Sequence, residues 1–297
     1  MIDVLLVARF ELHRAVRTWR ALALLVLYAV ASAGVAWIFV QMVGVMENNL
    51  ATQLGVAQTE TPGAMLAELQ SSSMWRDVLG VMTGSPHLVD ALVDVPPLAL
   101  MNLWFGFLVV PFFAASASTE SIAIDVQTRA IRFEAQRTGR VELVVGRFLG
   151  QLVLTAVAAL VSVAVVFVVG ATQMVVPDRL ALLGWLLWFV PRTLAFGVPF
   201  VGLGLAASQV TSSPAWARVL AVGAVAGSWT AFGLARYGEQ RRGFALLSDV
   251  ALQVLPQGWL HGLWEPGVGW LLPAIVCCAL GLAAVAAGYL RFQARDL

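Results

Sequence analysis

The most charged stretch of the chain is Ser118–Arg147, STESIAIDVQTRAIRFEAQRTGRVELVVGR. Glu120, Asp125, Arg129, Arg132, Glu134, Arg137 and Arg140 carry charges of both signs along it, with Gly139 just before the last of them. Asp125 stands four residues before Arg129 and Glu134 three before Arg137, spacings at which opposite charges support a helix. Thr138-Gly139 interrupts the pattern, and a new helix is predicted from about Val141. The expected arrangement is helix, tight turn, helix. Ordered charges of this kind suit docking to a complementary protein surface, and they include no nucleophile and no metal-ligand set. The plainer alternative is a solvated loop whose arginines only set topology.

Other chemistry is excluded by residue type. All 18 basic residues are arginines, so neither Schiff-base chemistry nor a lysine-bearing phosphate loop is available. The two cysteines, Cys277 and Cys278, are adjacent in an apolar run and support no disulfide or zinc site. No HExxH motif, no acid pair in an apolar run and no serine–histidine pair at membrane depth points to a hydrolase. Met42, Met46, Met65, Met74, Met82, Met101, Met174, His87 and His261 carry donors that suit copper, but no two share tight ligand spacing. The chain is therefore expected to be no enzyme and to hold no metal and no cofactor of its own. Arg192 is the one charge inside an otherwise apolar stretch. It is a candidate contact in a substrate path, or else a structural residue paired with carbonyls.

The elements that must position these residues are apolar throughout. Of 297 residues, 60% are hydrophobic and 12% charged, with a mean hydropathy of +0.85 and a net charge of +1. A soluble domain sits near about 45–50% apolar and about 25% charged. That argues against a soluble enzyme, a nucleic-acid binder and a disordered chain. Six stretches approach the roughly 20 apolar residues that span a bilayer: Ala21–Gly44, Leu98–Ala117, Leu149–Val169, Leu180–Ala207, Ala217–Leu234 and Val268–Leu290. Pro191 and Pro199 could kink or tilt the fourth.

Arginine placement gives the orientation. With the N-terminus inside, Arg9, Arg14, Arg17, Arg20, the loop arginines, Arg218, Arg291 and Arg295 are cytoplasmic, while Arg76, Arg179, Arg236, Arg241 and Arg242 are outside. The outer segment 45–97 sets Arg76 against Glu47, Glu60, Glu68, Asp77, Asp90 and Asp94. Both termini are thus expected in the cytoplasm of an inner-membrane, multi-pass protein. Residues 1–20 read as an amphipathic helix in the inner interface, with Leu5, Ala8, Leu12, Val16 and Trp19 on one face and Arg9, His13, Arg17 and Arg20 on another, near anionic lipid headgroups. Trp19 and Trp216 fall near the inner interface, and Trp37, Trp185, Trp259, Trp264 and Trp270 near the outer one. In the outer segments, 45–97 and 235–267, short helices are predicted over Gly63–Gly80, with Met65, Leu66, Leu69, Met74 and Val78 at helical spacing, and over Gly243–Leu255. Gly202, Gly204, Ala206, Ala207 and Gly281 through Gly288 suit close helix packing.

Four segments together carry a resemblance: ARFELHRAVRTWR, IDVQTRAIRFEAQRTGRVELVVGRFLGQ, PFVGLGLAASQVTSSPAWARVL and GYLRFQARDL. They resemble the ABC-2 class of ATP-binding-cassette permeases, in particular the stand-alone six-span subunits. The resemblance implies an all-α polytopic membrane protein in a single transmembrane domain, with an N-terminal elbow helix before six spans. It implies a cytoplasmic hairpin, 118–147, that couples to a separate ATPase, so that Glu120 and Asp125 through Arg140 form the coupling region. It further implies a homo- or heterodimer of permease chains, ATP and magnesium held by the partner, and export as the direction of transport. Gly146-Arg147 would match the family's Gly-Lys opening the third span. Thr128-Arg129 stands where the family often has Gly-Thr, and Arg137-Thr138-Gly139 where it has a proline-bearing turn. The alternatives are a non-transport scaffold that transmits ATPase work to the outer side, and an ion-coupled carrier. The carrier is disfavoured by the lack of acids and histidines within spans.

Overall fold

The computed structural model describes residues 2–58, 60–239 and 245–294; Gly243 at the start of the second predicted outer helix, and Arg241, Arg242 and Arg295, lie outside the described residues. Among the described residues the fold is all-α. Helix α1 (Ile2–Arg17) is separated by extended Thr18 from α2 (Trp19–Leu54). Three short helices follow, α3 (Leu66–Ser71), α4 (Ser73–Thr83) and α5 (Pro86–Leu92). Then come α6 (Pro97–Ser118), α7 (Glu120–Gln127), α8 (Ile131–Thr138) and α9 (Arg140–Gln173). The chain continues with α10 (Arg179–Val210), α11 (Pro214–Glu239), α12 (Ala245–Val254), α13 (Leu260–Trp264) and α14 (Leu271–Gln293). Six of these helices, α2, α6 continued by α7, α9, α10, α11 and α14, are long and apolar enough to cross a membrane.

The boundaries follow local chemistry. Helix α2 runs on past Gly44 to Leu54, where Gly55 closes it in the left-handed conformation (φ 68°). The extension crosses Glu47, which is fully buried, because the carboxylate accepts the backbone N–H groups of Gly63 (2.8 Å) and Met65 (3.1 Å) from the following loop. The predicted outer helix over 63–80 is divided: Ser72 ends α3 and caps α4 by accepting the Trp75 N–H. Its buried face is Leu69, Trp75 and Leu79, while Met74 and Val78 lie half-buried at the edge. Helix α10 is continuous through Pro191 and Pro199. Trp264, expected at an interface, is instead in the core, edge-on to Phe107 at 5.6 Å.

Helices α6 and α10 form the centre of the bundle, and α10 packs against α14, α6, α9 and α11. Small residues set the close crossings, as their placement predicts: Gly202 meets Gly281, Gly204 meets the Ala115 backbone, and Gly288 meets Ala206. In the most apolar window of α6, 78% of residues are buried, against 28% for α2 and 17% for α11. Those two helices therefore present apolar flanks to the outside of the bundle.

Helix α1 crosses the start of α9. The contact is made on Gly146 and Gly150, one turn apart, where Val7 and Glu11 of α1 sit directly against the bare α-carbons. A Cβ at Gly146 would lie 2.6 Å from Val7 Cβ and 2.8 Å from the Val4 carbonyl oxygen. The side of α1 that packs is consequently Val7, Ala8 and Glu11, whereas Leu5, Phe10, Val16 and Trp19 stay exposed. The expected apolar face is thus split, with Ala8 buried and Leu12 partly buried against the bundle, because the glycines decide which side can approach. Gly146→Leu is expected to lever α1 off α9. Limited trypsinolysis in detergent should then cut at Arg9 and Arg14 at least tenfold faster than in wild type, on the scale of the roughly 1–3 kcal/mol that overpacking costs.

Candidate functional site

At the end of the bundle that carries α1, five charged groups from four helices meet. Arg147 of α9 is 1% exposed. Its Nη2 reaches Asp125 Oδ2 of α7 at 2.6 Å and also the carboxylate of Glu134 on α8. Asp125 Oδ2 accepts a second bond from Arg14 Nη1 of α1 at 2.8 Å. One helical turn along each helix, Gln151 of α9 donates through Nε2 to Oε1 of buried Glu11 at 2.9 Å. Burial pushes the Glu11 carboxyl up from its ordinary value, and nearby Arg147 and Arg14 and the Gln151 bond pull it partly back. An arginine cannot shed its proton to enter a low-dielectric site. Its presence there therefore requires the carboxylates, and they come from the hairpin.

The predicted intrahelical pairs are not made. Asp125 turns to Arg14 and Arg147 rather than Arg129, and Glu134 turns to Arg147 rather than Arg137. A buried guanidinium competes better for a carboxylate than an exposed one that water already solvates. The hairpin also has two breaks where one was expected. Arg129 lies in the turn between α7 and α8 with φ 61°, a left-handed conformation that a side chain adopts at a cost. Gly139, φ 77°, makes the second break before α9, which starts at Arg140.

The remaining coupling residues divide by environment. Glu120 pairs with Arg218 of α11. Arg140 donates to the Gln293 carbonyl at 2.9 Å and lies over the Phe292 ring at the end of α14. The start of α7 is held by Ser208 of α10, whose Oγ accepts the N–H groups of Ile122 (2.8 Å) and Ala123 (2.7 Å). Arg129 and Arg137 are exposed, and between them Phe133 is 71% exposed. The side chain of Arg132 lies outside the described residues. Sequence reasoning left Glu11, Arg14, Arg147, Gln151 and Ser208 out of the site. The signal for Arg147 and Gln151 was the run Gly146-Arg147-Phe148-Leu149-Gly150-Gln151, where a charge interrupts a close-packing motif.

Arg192 sits apart from this cluster, towards the other end of the bundle, and is fully buried. Nη1 donates to the Trp188 carbonyl (3.3 Å) and Nη2 to the Glu265 carbonyl (3.0 Å) in the loop before α14. The guanidinium lies 5.1–5.3 Å from the ring centroids of Phe189, Trp188 and Trp270. His261, one of the considered metal donors, is within 3.0 Å of Arg236 Nη2.

This geometry, six long apolar helices with a helical hairpin locked under them, agrees with the comparison by sequence family. The family described as ABC-2 family transporter protein matches residues 5–297. The chain belongs to the ABC-2 transporter family. A comparison with curated proteins finds no match. The ABC-2 protein is accordingly a multi-pass membrane component of an ATP-binding-cassette transporter, of a family whose members work with an ATPase subunit and are not themselves the catalytic part.

Two outcomes test the cluster in the ABC-2 protein. Asp125→Ala should lower stability by about 3–5 kcal/mol, the cost of leaving a buried arginine with its partner removed, read as a fall in thermal midpoint in detergent. Folded Glu11 keeps its proton to higher pH than the same group in the unfolded chain does, so the stability that Glu11 contributes should fall as pH rises from about 4.5 upward. The difference between wild type and Glu11→Gln, which cannot titrate, should therefore widen with pH and vanish below that range in a pH series of thermal midpoints.

Proposed function

We propose that the ABC-2 protein is the permease subunit of an exporter in the bacterial inner membrane, with both termini and the α7–α8 hairpin in the cytoplasm. A separate ATPase, holding ATP and magnesium, docks on the exposed edge of the hairpin. Arg129, Phe133 and Arg137 form the contact, while Asp125, Glu134, Arg140 and Gly139 hold or shape the hairpin behind it and Glu120 ties it to α11. One observation carries the reading: the hairpin is bonded to α1, α9, α10 and α11 at once, and α9 is bonded in turn to α14 through Arg140. A force applied to its edge therefore reaches the elbow helix and four spanning helices without passing through a soft loop. Two permease chains form the transport unit, and the exposed apolar flanks of α2 and α11 favour this. Membrane lipid surrounds the exposed face of α1. Arg192 serves as a fastener that ties α10 to the outer loop, since both of its bonded hydrogen-bond partners are backbone carbonyls and its surface is wholly covered.

The docking surface is tested by the double substitution Arg129→Glu/Arg137→Glu. Tagged wild-type chain should co-purify a nucleotide-hydrolysing subunit from its own cells, and the variant should retain at most a tenth of it. Arg179→Glu, at the opposite end of the bundle, should retain it fully. Undiminished recovery with the double variant contradicts the docking surface.

A further inference from the structure

Between α1, the first turns of α2, the junction of α6 with α7, α9 and the start of α11 lies a cavity of about 780 Å³. It falls in the size range of small-molecule sites, about 300–1,000 Å³. Its two ends differ in chemistry. One end is lined by Arg14, Arg17 and Arg218 with Glu11 and Glu120. The other is lined by Leu24, Leu27 and Leu154 of the spanning helices. Leu27 is 65% exposed, so the apolar end opens on the flank of the bundle.

Two further polar residues line this cavity, Ser121 and Gln151. Both residues are 3% exposed, and the Ser121 hydroxyl oxygen and Gln151 Oε1 have no hydrogen-bond partner among the described residues. A buried polar atom without a partner costs free energy, and two of them on residues that line one space point to a ligand that completes them. The nature of that ligand follows from the walls. Arg14 is bonded to Asp125 and Arg218 to Glu120, which leaves Arg17 as the guanidinium open to an anion, and burial holds the remaining carboxylate, Glu11, towards its neutral form. An apolar wall that runs from the charged rim into the spanning segment calls for an acyl chain. Gln151 Oε1, a pure acceptor, calls for a hydroxyl or amine beside the anion.

We propose that this cavity is a site for one anionic glycerophospholipid with a hydroxyl-bearing headgroup. Its phosphate lies against Arg14, Arg17 and the Ser121 hydroxyl, its headgroup hydroxyl donates to Gln151 Oε1, and one acyl chain lies along Leu24, Leu27 and Leu154. The lipid thereby stands between the elbow helix and the start of α7. The site rests on the reading that the α1 end lies at the inner face of the membrane, and not on ATPase docking or on transport.

The test uses the full chain in detergent, stripped of lipid by prolonged washing. Short-chain phosphatidylglycerol should raise its thermal midpoint saturably, and native mass spectrometry should show one lipid retained per chain. Phosphatidylethanolamine, phosphatidylcholine and inorganic phosphate should each need at least tenfold higher concentration. Arg17→Gln/Ser121→Ala should weaken the phosphatidylglycerol response at least tenfold, and Leu24→Trp, which fills the apolar wall, should abolish it. An equal response to all three headgroups overturns the proposal, and this comparison needs no variant to fold. So does disulfide linkage of two Leu27→Cys chains that proceeds equally with and without lipid, which would make a second copy the occupant. The Arg129→Glu/Arg137→Glu chain should bind phosphatidylglycerol as wild type does, so failure of ATPase docking and failure of the lipid site are read separately.

Discussion

A guanidinium buried at the end of a spanning helix has to be neutralised where it stands, because arginine stays protonated under any condition the protein meets. Arg147 meets this condition with two carboxylates that are remote from it in space until the hairpin folds back. The arrangement of the whole α1 end follows. Asp125 can serve Arg147 only if α7 lies across α9. Once there, the same oxygen is available to Arg14, which draws α1 onto the same spot. Glu134 must come from α8, so the turn at 128–130 has to be tight enough to bring α8 back, and Arg129 takes a left-handed backbone conformation there. Burying ions in this way adds little net stability compared with apolar packing, since desolvation offsets most of the attraction. What it supplies is one relative placement of four helices and severe loss if any partner is removed.

The glycines complete that constraint. Charges alone would tolerate several helix separations, whereas Gly146 and Gly150 let α1 approach α9 closely enough for Glu11 to meet Gln151. Close backbone approach and charge pairing are thus interlocked on six consecutive residues of α9. The result is an end of the molecule in which α1, α7, α8 and α9 are tied to one another. The outer flanks of α2 and α11, apolar and unpartnered within the chain, remain free to meet lipid or another subunit.

Much of this was legible from residue types. The six spans, the elbow helix and the hairpin with its break at Gly139 follow from hydropathy, arginine placement and turn chemistry, and helix ends shifted mainly where a specific bond permitted it, as at Glu47. The pairing of charges was not legible. Spacing in sequence suggested Asp125 with Arg129 and Glu134 with Arg137, because neighbours along a helix are all that a local rule can see. Burial reversed those choices, and burial is a property of the assembled bundle. Ser208 is the plainest case: nothing in PFVGLGLAASQVTSSPAWARVL distinguishes its hydroxyl until α7 ends its first turn directly against it. Arg192 was recognisable as an outlier, but its partners are backbone carbonyls and aromatic faces, which no motif records.

The two ends of the bundle are joined by α9 itself. It runs unbroken from Arg140 to Gln173, about 50 Å at about 1.5 Å per residue. At its start it holds the charge cluster. Just past its far end Val175 donates to the Pro62 carbonyl at 2.8 Å, and the next residue, Gly63, donates to Glu47. The loop before α3 is therefore attached both to the end of α9 and to the buried carboxylate on α2. An α-helix whose backbone bonds are satisfied internally is stiff along its axis, so a displacement of the hairpin that carries Arg147 with it cannot be absorbed within α9. It must appear either as sliding of α9 against α6 and α10, or as movement of the loop clamped between Val175 and Glu47. The first is opposed by the Ser162–Asn102 hydrogen bond (2.8 Å) that ties α9 to α6 in mid-bundle, where water is not available to replace it. Rigid-body tilting of α9 about that bond satisfies both constraints, and it moves the two ends of the helix in opposite directions.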